Sequence, residues 1–129
     1  MSVIILGSLN MDLVARTPYL PTPGETATGS TFTTVPGGKG ANQAVATARL
    51  GAPTRMVGRV GADAYGDALR ESLRAAGVDT RLIQTDETTS TGVAIIAVDD
   101  AAENSIIVIP GANGQLDGPD VARLGDHLA

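Results

Sequence analysis

Val3-Ile4-Ile5-Leu6 is an unbroken apolar run that stops at Gly7, and a run without polar alternation reads as a strand covered on both faces, central in a sheet. Such a strand needs helices beside it, and the chain supplies them. Ala41, Ala44, Val45 and Ala48 recur at i, i+3, i+4 and i+7, so a helix entered from a glycine-rich turn carries a stripe of small groups until Gly51 ends it. A face this small can pack close against a sheet. Arg55 to Val60 reads as the next buried strand, and Gly61-Ala62-Asp63 leads into a second helix that bears Leu69, Leu73 and Ala76 and closes at Gly77. Asp67 with Arg70, and Glu71 with Arg74, decorate its wet face. Arg81 to Thr85 is a further strand, and from Pro119 a third helix sets Val121, Leu124 and Leu128 on one face. The order strand, helix, strand, helix predicts an α/β fold, a partial Rossmann-like and mainly parallel sheet with right-handed crossovers.

Two other segments do not fit that core. Leu13 to Leu20 and Ala27 to Val35 are β-prone stretches parted by the turn Pro21-Thr22-Pro23-Gly24-Glu25, and Thr26, Thr28, Ser30, Thr31, Thr33 and Thr34 make the second one polar. Thr91 to Val98 and Ser105 to Ile109 are β-branched runs joined by Asp99-Asp100-Ala101-Ala102-Glu103-Asn104, which predicts a hairpin. Together they predict a small exposed sheet projecting from the body. The core then spans residues 1–12, 36–90 and 111–129, and the projecting strands cover about 13–35 and 91–110.

Composition narrows the function. With a net charge of −5 and no basic cluster, the chain is not expected to bind nucleic acid, which requires grouped Lys and Arg for its phosphates. No apolar run approaches the ~20 residues of a membrane span, and Met1 to Gly7 lacks the basic and long apolar regions of a signal peptide. A cytoplasmic location is expected. Cysteine is absent, which removes disulfides, thiolate metal sites and a cysteine nucleophile. The one histidine, His127, is expected at a solvated helix end.

Of nine basic residues eight are arginine, and the one lysine, Lys39, stands inside Val35-Pro36-Gly37-Gly38-Lys39-Gly40-Ala41-Asn42-Gln43-Ala44. A compact ammonium with three donors suits a small polar ligand, and glycines let the backbone approach it. A merely solvated lysine in a surface turn is the plainer alternative. The spacing rules out two phosphate loops: Gly40 stands where a Walker loop needs Ser or Thr, and Gly7-Ser8-Leu9-Asn10 lacks the dinucleotide Gly-x-Gly-x-x-Gly. Asn10 and Asp12 follow the first strand at its carboxyl end, where ligands gather in open α/β sheets. With Gly38, Lys39 and Asn42 at the start of the first helix they could share one cleft. A carboxylate that accepts from neighbouring hydroxyls, beside amide and ammonium donors, matches a polyol such as a sugar. Taken singly, Asp12 also fits a cap or turn carboxylate.

Gly7-Ser8-Leu9-Asn10-Met11-Asp12, Pro21-Thr22-Pro23-Gly24-Glu25-Thr26 and Gly37-Gly38-Lys39-Gly40-Ala41-Asn42-Gln43-Ala44 come in that order. Gly61-x-Asp63-x-x-Gly66, Ser90-Thr91-Gly92-Val93-Ala94 and Gly111-Ala112-Asn113 follow. This series resembles the N-terminal part of the ribokinase-like (PfkB) carbohydrate kinase family, and Asn10 with Asp12 and the full Gly-Gly-Lys-Gly-Ala-Asn favour its ribokinase branch over the fructokinase and adenosine kinase branches. The resemblance implies transfer of the γ-phosphoryl group of ATP to the 5-hydroxyl of D-ribose, with Mg²⁺ and a monovalent cation, K⁺. It implies that Asn10, Asp12, Gly38, Lys39 and Asn42 bind the sugar. It makes the projecting sheet a lid, with the Thr91–Val98 strand laying apolar side chains over the sugar and the lid forming a homodimer with a second copy. The family's catalytic aspartate, in Asp-Thr-x-Gly-Ala-Gly-Asp, and its ATP, anion and cation sites match nothing in these 129 residues. The expectation is an incomplete domain that does not phosphorylate sugar by itself. The alternatives are a stand-alone sugar-binding module and a lid-mediated dimerisation module.

Overall fold

The computed structural model describes the backbone of residues 2–128 and the side chains of residues 2–125. The side chains of His127 and Leu128 therefore lie outside the described residues. The strands are β1 (Val3–Leu6), β2 (Asn10–Arg16), β3 (Thr31–Gly37), β4 (Thr54–Gly61), β5 (Ile83–Asp86), β6 (Gly92–Val98) and β7 (Asn104–Ile109). The helices are α1 (Lys39–Arg49), α2 (Ala64–Ala75) and α3 (Gly118–Leu128), with a short 3-10 helix at Gly111–Gln115. The architecture is the expected α/β one: a parallel sheet ordered β1-β4-β5 with flanking helices, and a second, four-stranded sheet ordered β3-β2-β6-β7.

The core follows from the apolar periodicities. Leu9, Met56, Val60 and Leu69 are wholly buried, each contributing about 1.5–3 kcal/mol relative to exposure. Ala41 and Ala44 of α1 join them, and their small volume lets the helix close on β1. At that contact a Cβ on Gly40 would lie 2.7 Å from the Gly7 backbone, so only glycine fits. Asp63 caps α2, accepting from Gly66 N at 2.8 Å, a bond of the kind that contributes about 1 kcal/mol to helix stability. Arg59 of β4 donates to Asp86 Oδ2 at 2.9 Å and to Gln84 Oε1 at 2.5 Å, and lies 3.9 Å from Asp120 of α3. The two hydrogen bonds join β4 to β5, and the ion pair links the sheet to α3. The Arg59 guanidinium, then the Thr88 amide, hold the Asp86 carboxyl below the usual carboxylate range.

Among the described residues β1 pairs only with β4, and Leu6 is half exposed. Two sequence expectations are corrected. Strand β2 begins at Asn10 rather than Leu13, because its ladder with β3 and β6 starts at the row Gly37–Asn10–Gly92. It stops at Arg16 because Pro18 has no N–H to continue the ladder, and residues up to Ser30 form a loop before β3 starts. Finally, Arg70 donates to Thr85 Oγ1 at 2.6 Å, so it braces β5 as well as facing Asp67.

Alternation along β2 gives the second sheet two faces. Met11 and Leu13 point into the core, while Asn10, Asp12 and Val14 point the other way. Residues 31–36 of β3 and all of β7 are exposed, which fits the threonine-rich composition of β3 and leaves Ile106, Ile107, Val108 and Ile109 uncovered.

Candidate functional site

The site forms where β2 leaves the core and α1 begins. Gly38 is the residue before α1 and has φ 100° and ψ 135°, a conformation that a side chain strongly disfavours. A Cβ there would also lie 2.5 Å from Ser8 O and 2.9 Å from Asn10 N. This close approach seats the helix start on the β1–β2 turn, and Ala41 N donates to Ser8 O at 3.1 Å. No side chain caps α1, so its first turn presents backbone and the side chains of Lys39 and Asn42 to the opening.

Asn10, Gly38, Lys39 and Asn42 line one cleft of about 450 Å³. Four of the five residues singled out by sequence are thus brought together. Asp12 does not line that cleft. It lies two residues along β2 on the same face, and a Cβ on Gly37 would stand 2.6 Å from Asp12 Oδ2, so the glycine makes room for the carboxylate. Burial pushes the Asp12 carboxyl up, and among the described residues no hydrogen bond offsets that cost.

The apolar side of the cleft comes from Val108 of β7 and from Pro110. No residue of the Thr91–Val98 segment lines it, because Gly92 is the β6 residue that pairs with Asn10. Sequence reasoning also left Asn113 and Ser8 out of the site. Asn113 is 103 positions from Asn10, yet its Nδ2 donates to Asn10 Oδ1 at 2.7 Å. The available signal was Pro110-Gly111-Ala112-Asn113, a breaker and an amide placed straight after a strand.

A second network fastens the junction of the two sheets. The Asp63 carboxylate accepts from Thr91 N at 2.9 Å and Thr91 Oγ1 at 2.6 Å, and Gly61 N donates to that same hydroxyl at 2.9 Å. Burial raises the Asp63 carboxyl, and the bonds from Thr91 and Gly66 outweigh it and leave it lowered. Helix α2, strand β4 and the entry to β6 therefore meet at one carboxylate. Among the described residues no group of three or more His, Asp or Glu side chains could hold a metal ion, and no helix is long and apolar enough to cross a membrane.

Residues 1–127 match the family model described as pfkB family carbohydrate kinase. A ribokinase of Bacillus subtilis is 48% identical over 115 residues, covering 89% of this chain and 39% of the relative. A ribokinase from Cryptococcus neoformans, solved in complex with ADP, superposes with a TM-score of 0.82 at 38% identity, covering 92% of this chain and 37% of that one. The Arabidopsis thaliana ribokinase complexed with ribose and ATP gives a TM-score of 0.80 at 38% identity, over 87% and 36% of the two chains. The chain spans about two fifths of the length of the curated relatives it matches.

Proposed function

The chain belongs to the pfkB family of carbohydrate kinases, and from that membership we propose that its cleft is the sugar-holding part of a ribokinase-type site that takes D-ribose. The observation that carries this reading is the convergence of Asn10, Gly38, Lys39 and Asn42 on one cleft, with the Asp12 carboxylate beside it. Asp12 would accept from two ring hydroxyls, Lys39 and the Asn10 and Asn42 amides would donate to sugar oxygens, and Val108 would cover an apolar edge of the ring. The ribose and ATP of the Arabidopsis structure support the same ligand and phosphoryl donor here.

Phosphoryl transfer to the 5-hydroxyl needs a base and donors for the developing charge. Residues 1–129 contain no Asp-Thr-x-Gly-Ala-Gly-Asp segment and, among the described residues, no acidic cluster that fits Mg²⁺, so no step is assigned to them. Their part is to bind and orient the sugar. The same reading places the protein in the cytoplasm. It also pairs the projecting sheet, residues of 13–35 and 91–110, with a second copy's, an arrangement favoured by the uncovered Phe32, Ile106 and Ile107.

Titration calorimetry of the 129-residue chain with D-ribose tests the reading. Saturable heat is expected, together with no ribose phosphate formed from ATP and Mg²⁺. Absence of heat at millimolar ribose would refute the sugar site, and turnover would refute the assignment of this segment to binding alone.

A further inference from the structure

The Asn113 side chain makes three bonds, all directed at the turn that delivers Asn10 to the cleft. Its Oδ1 accepts from Leu9 N at 3.0 Å, and its Nδ2 donates to Leu9 O at 2.9 Å and to Asn10 Oδ1 at 2.7 Å. Side-chain amides are symmetric enough to be turned end for end, but a peptide N–H can only donate and a peptide oxygen only accept. The Leu9 peptide therefore dictates which end of Asn113 is nitrogen. Asn113 in turn dictates which end of Asn10 is oxygen. Gly92 keeps the space for this contact, since a Cβ there would lie 2.6 Å from Asn10 Oδ1 and closer still to Asn113 Nδ2.

We propose that Asn113 is a positioning residue that sets the hydrogen-bond polarity of the cleft: it locks Asn10 with Oδ1 turned inward and Nδ2 presented to the ligand. Asn10 then reads a ligand oxygen as an acceptor, while Asp12, two residues along the same face, demands a hydroxyl donor. One strand thus imposes opposite requirements on two sites of the ligand, and a flipped Asn10 would set two acceptors side by side. This rests on the reading that the cleft holds a sugar, but the amide orientation itself does not.

Side-chain amide exchange in the ¹⁵N-labelled, ligand-free chain tests the orientation directly. The Asn113 Nδ2 protons are expected to exchange slowly and those of Asn10 rapidly, and the reverse pattern would overturn the assignment. Asn113→Asp keeps the shape and removes the donor. It is expected to slow exchange at the Asn10 amide, which turns to donate to the new carboxylate, and to weaken ribose binding about tenfold or more. In an Asn10→Ala background the same change should cost clearly less affinity than in wild type, the remainder reflecting the lost bond to Leu9 O, as expected of residues acting in part through one another. Additive losses would show that Asn113 does not act through Asn10. If wild type gives no ribose response, the sugar reading fails, and the exchange pattern still decides the role of Asn113.

Discussion

Asp12→Asn is expected to weaken ribose binding about 100-fold while leaving the folded chain as stable as wild type, or slightly more so. The two halves of that result have one cause. A carboxylate that accepts two ligand hydroxyls makes charge-assisted bonds of about 1.5–3 kcal/mol each, and the amide cannot replace both. In the ligand-free chain the same carboxylate is pushed up by burial, so its charge costs stability at neutral pH. The sign is that of an acid whose folded pKa is raised: the cost is present above that pKa and relaxes as pH falls through it. Removing the charge therefore costs the fold nothing, whereas a cap or turn carboxylate would destabilise it when replaced. Ribose affinity of wild type should fall as acidification reaches the raised Asp12 pKa, beginning at a higher pH than a solvated aspartate would give. The Asp12→Asn chain should show no such step. Calorimetry across the acid range, with thermal melts of both chains, checks each part, and a drop in melting temperature without loss of affinity would return Asp12 to a structural role.

Gly38→Ala is expected to be the most damaging single methyl in the site. The residue has φ 100°, and its Cβ would meet Ser8 O at 2.5 Å and the Leu9 Cα and Asn10 N at 2.9 Å, all of them backbone. Backbone strain of order 1–3 kcal/mol and overpacking of similar size sum to roughly 2–6 kcal/mol. Gly51 supplies the comparison. It has a similar φ of 93° but no atom within 4 Å of its would-be Cβ, so Gly51→Ala should cost only the strain. Urea unfolding of the two variants separates strain from contact, and equal losses would mean that the approach of α1 to the β1–β2 turn is looser than described. Whatever folded Gly38→Ala chain remains should have lost ribose binding, because the helix start that carries Lys39 and Asn42 is displaced.

Local features were the legible ones. The small-residue stripe of α1 and the hairpin of β6 and β7 are each encoded within one short stretch of chain, and each forms where its period or turn residues place it. That Asn10, Gly38, Lys39 and Asn42 meet at one cleft was readable because unusual residue types stood at glycine turns. What sequence concealed depends on partners far along the chain. The parallel pairing of β2 with β6 joins residues 82 positions apart in the register Asn10↔Gly92, so the start of β2 at Asn10 could not be seen locally. Asn113 reads as a loop amide until Leu9 is beside it. Thr91, likewise, reads as one more β-branched residue until Asp63 takes both its N–H and its hydroxyl.

On the proposed reading the start of α1 and the first residues of β2 form one sugar site. Backbone amide shifts of the ¹⁵N-labelled 129-residue chain, followed through a D-ribose titration, test it most directly. Saturable shifts concentrated at Asn10, Asp12, Gly38, Lys39 and Asn42, with one common affinity, are expected; no saturable shift, or shifts confined to a distant surface such as that of Arg55, Asp79 and Arg81, would overturn the shared site.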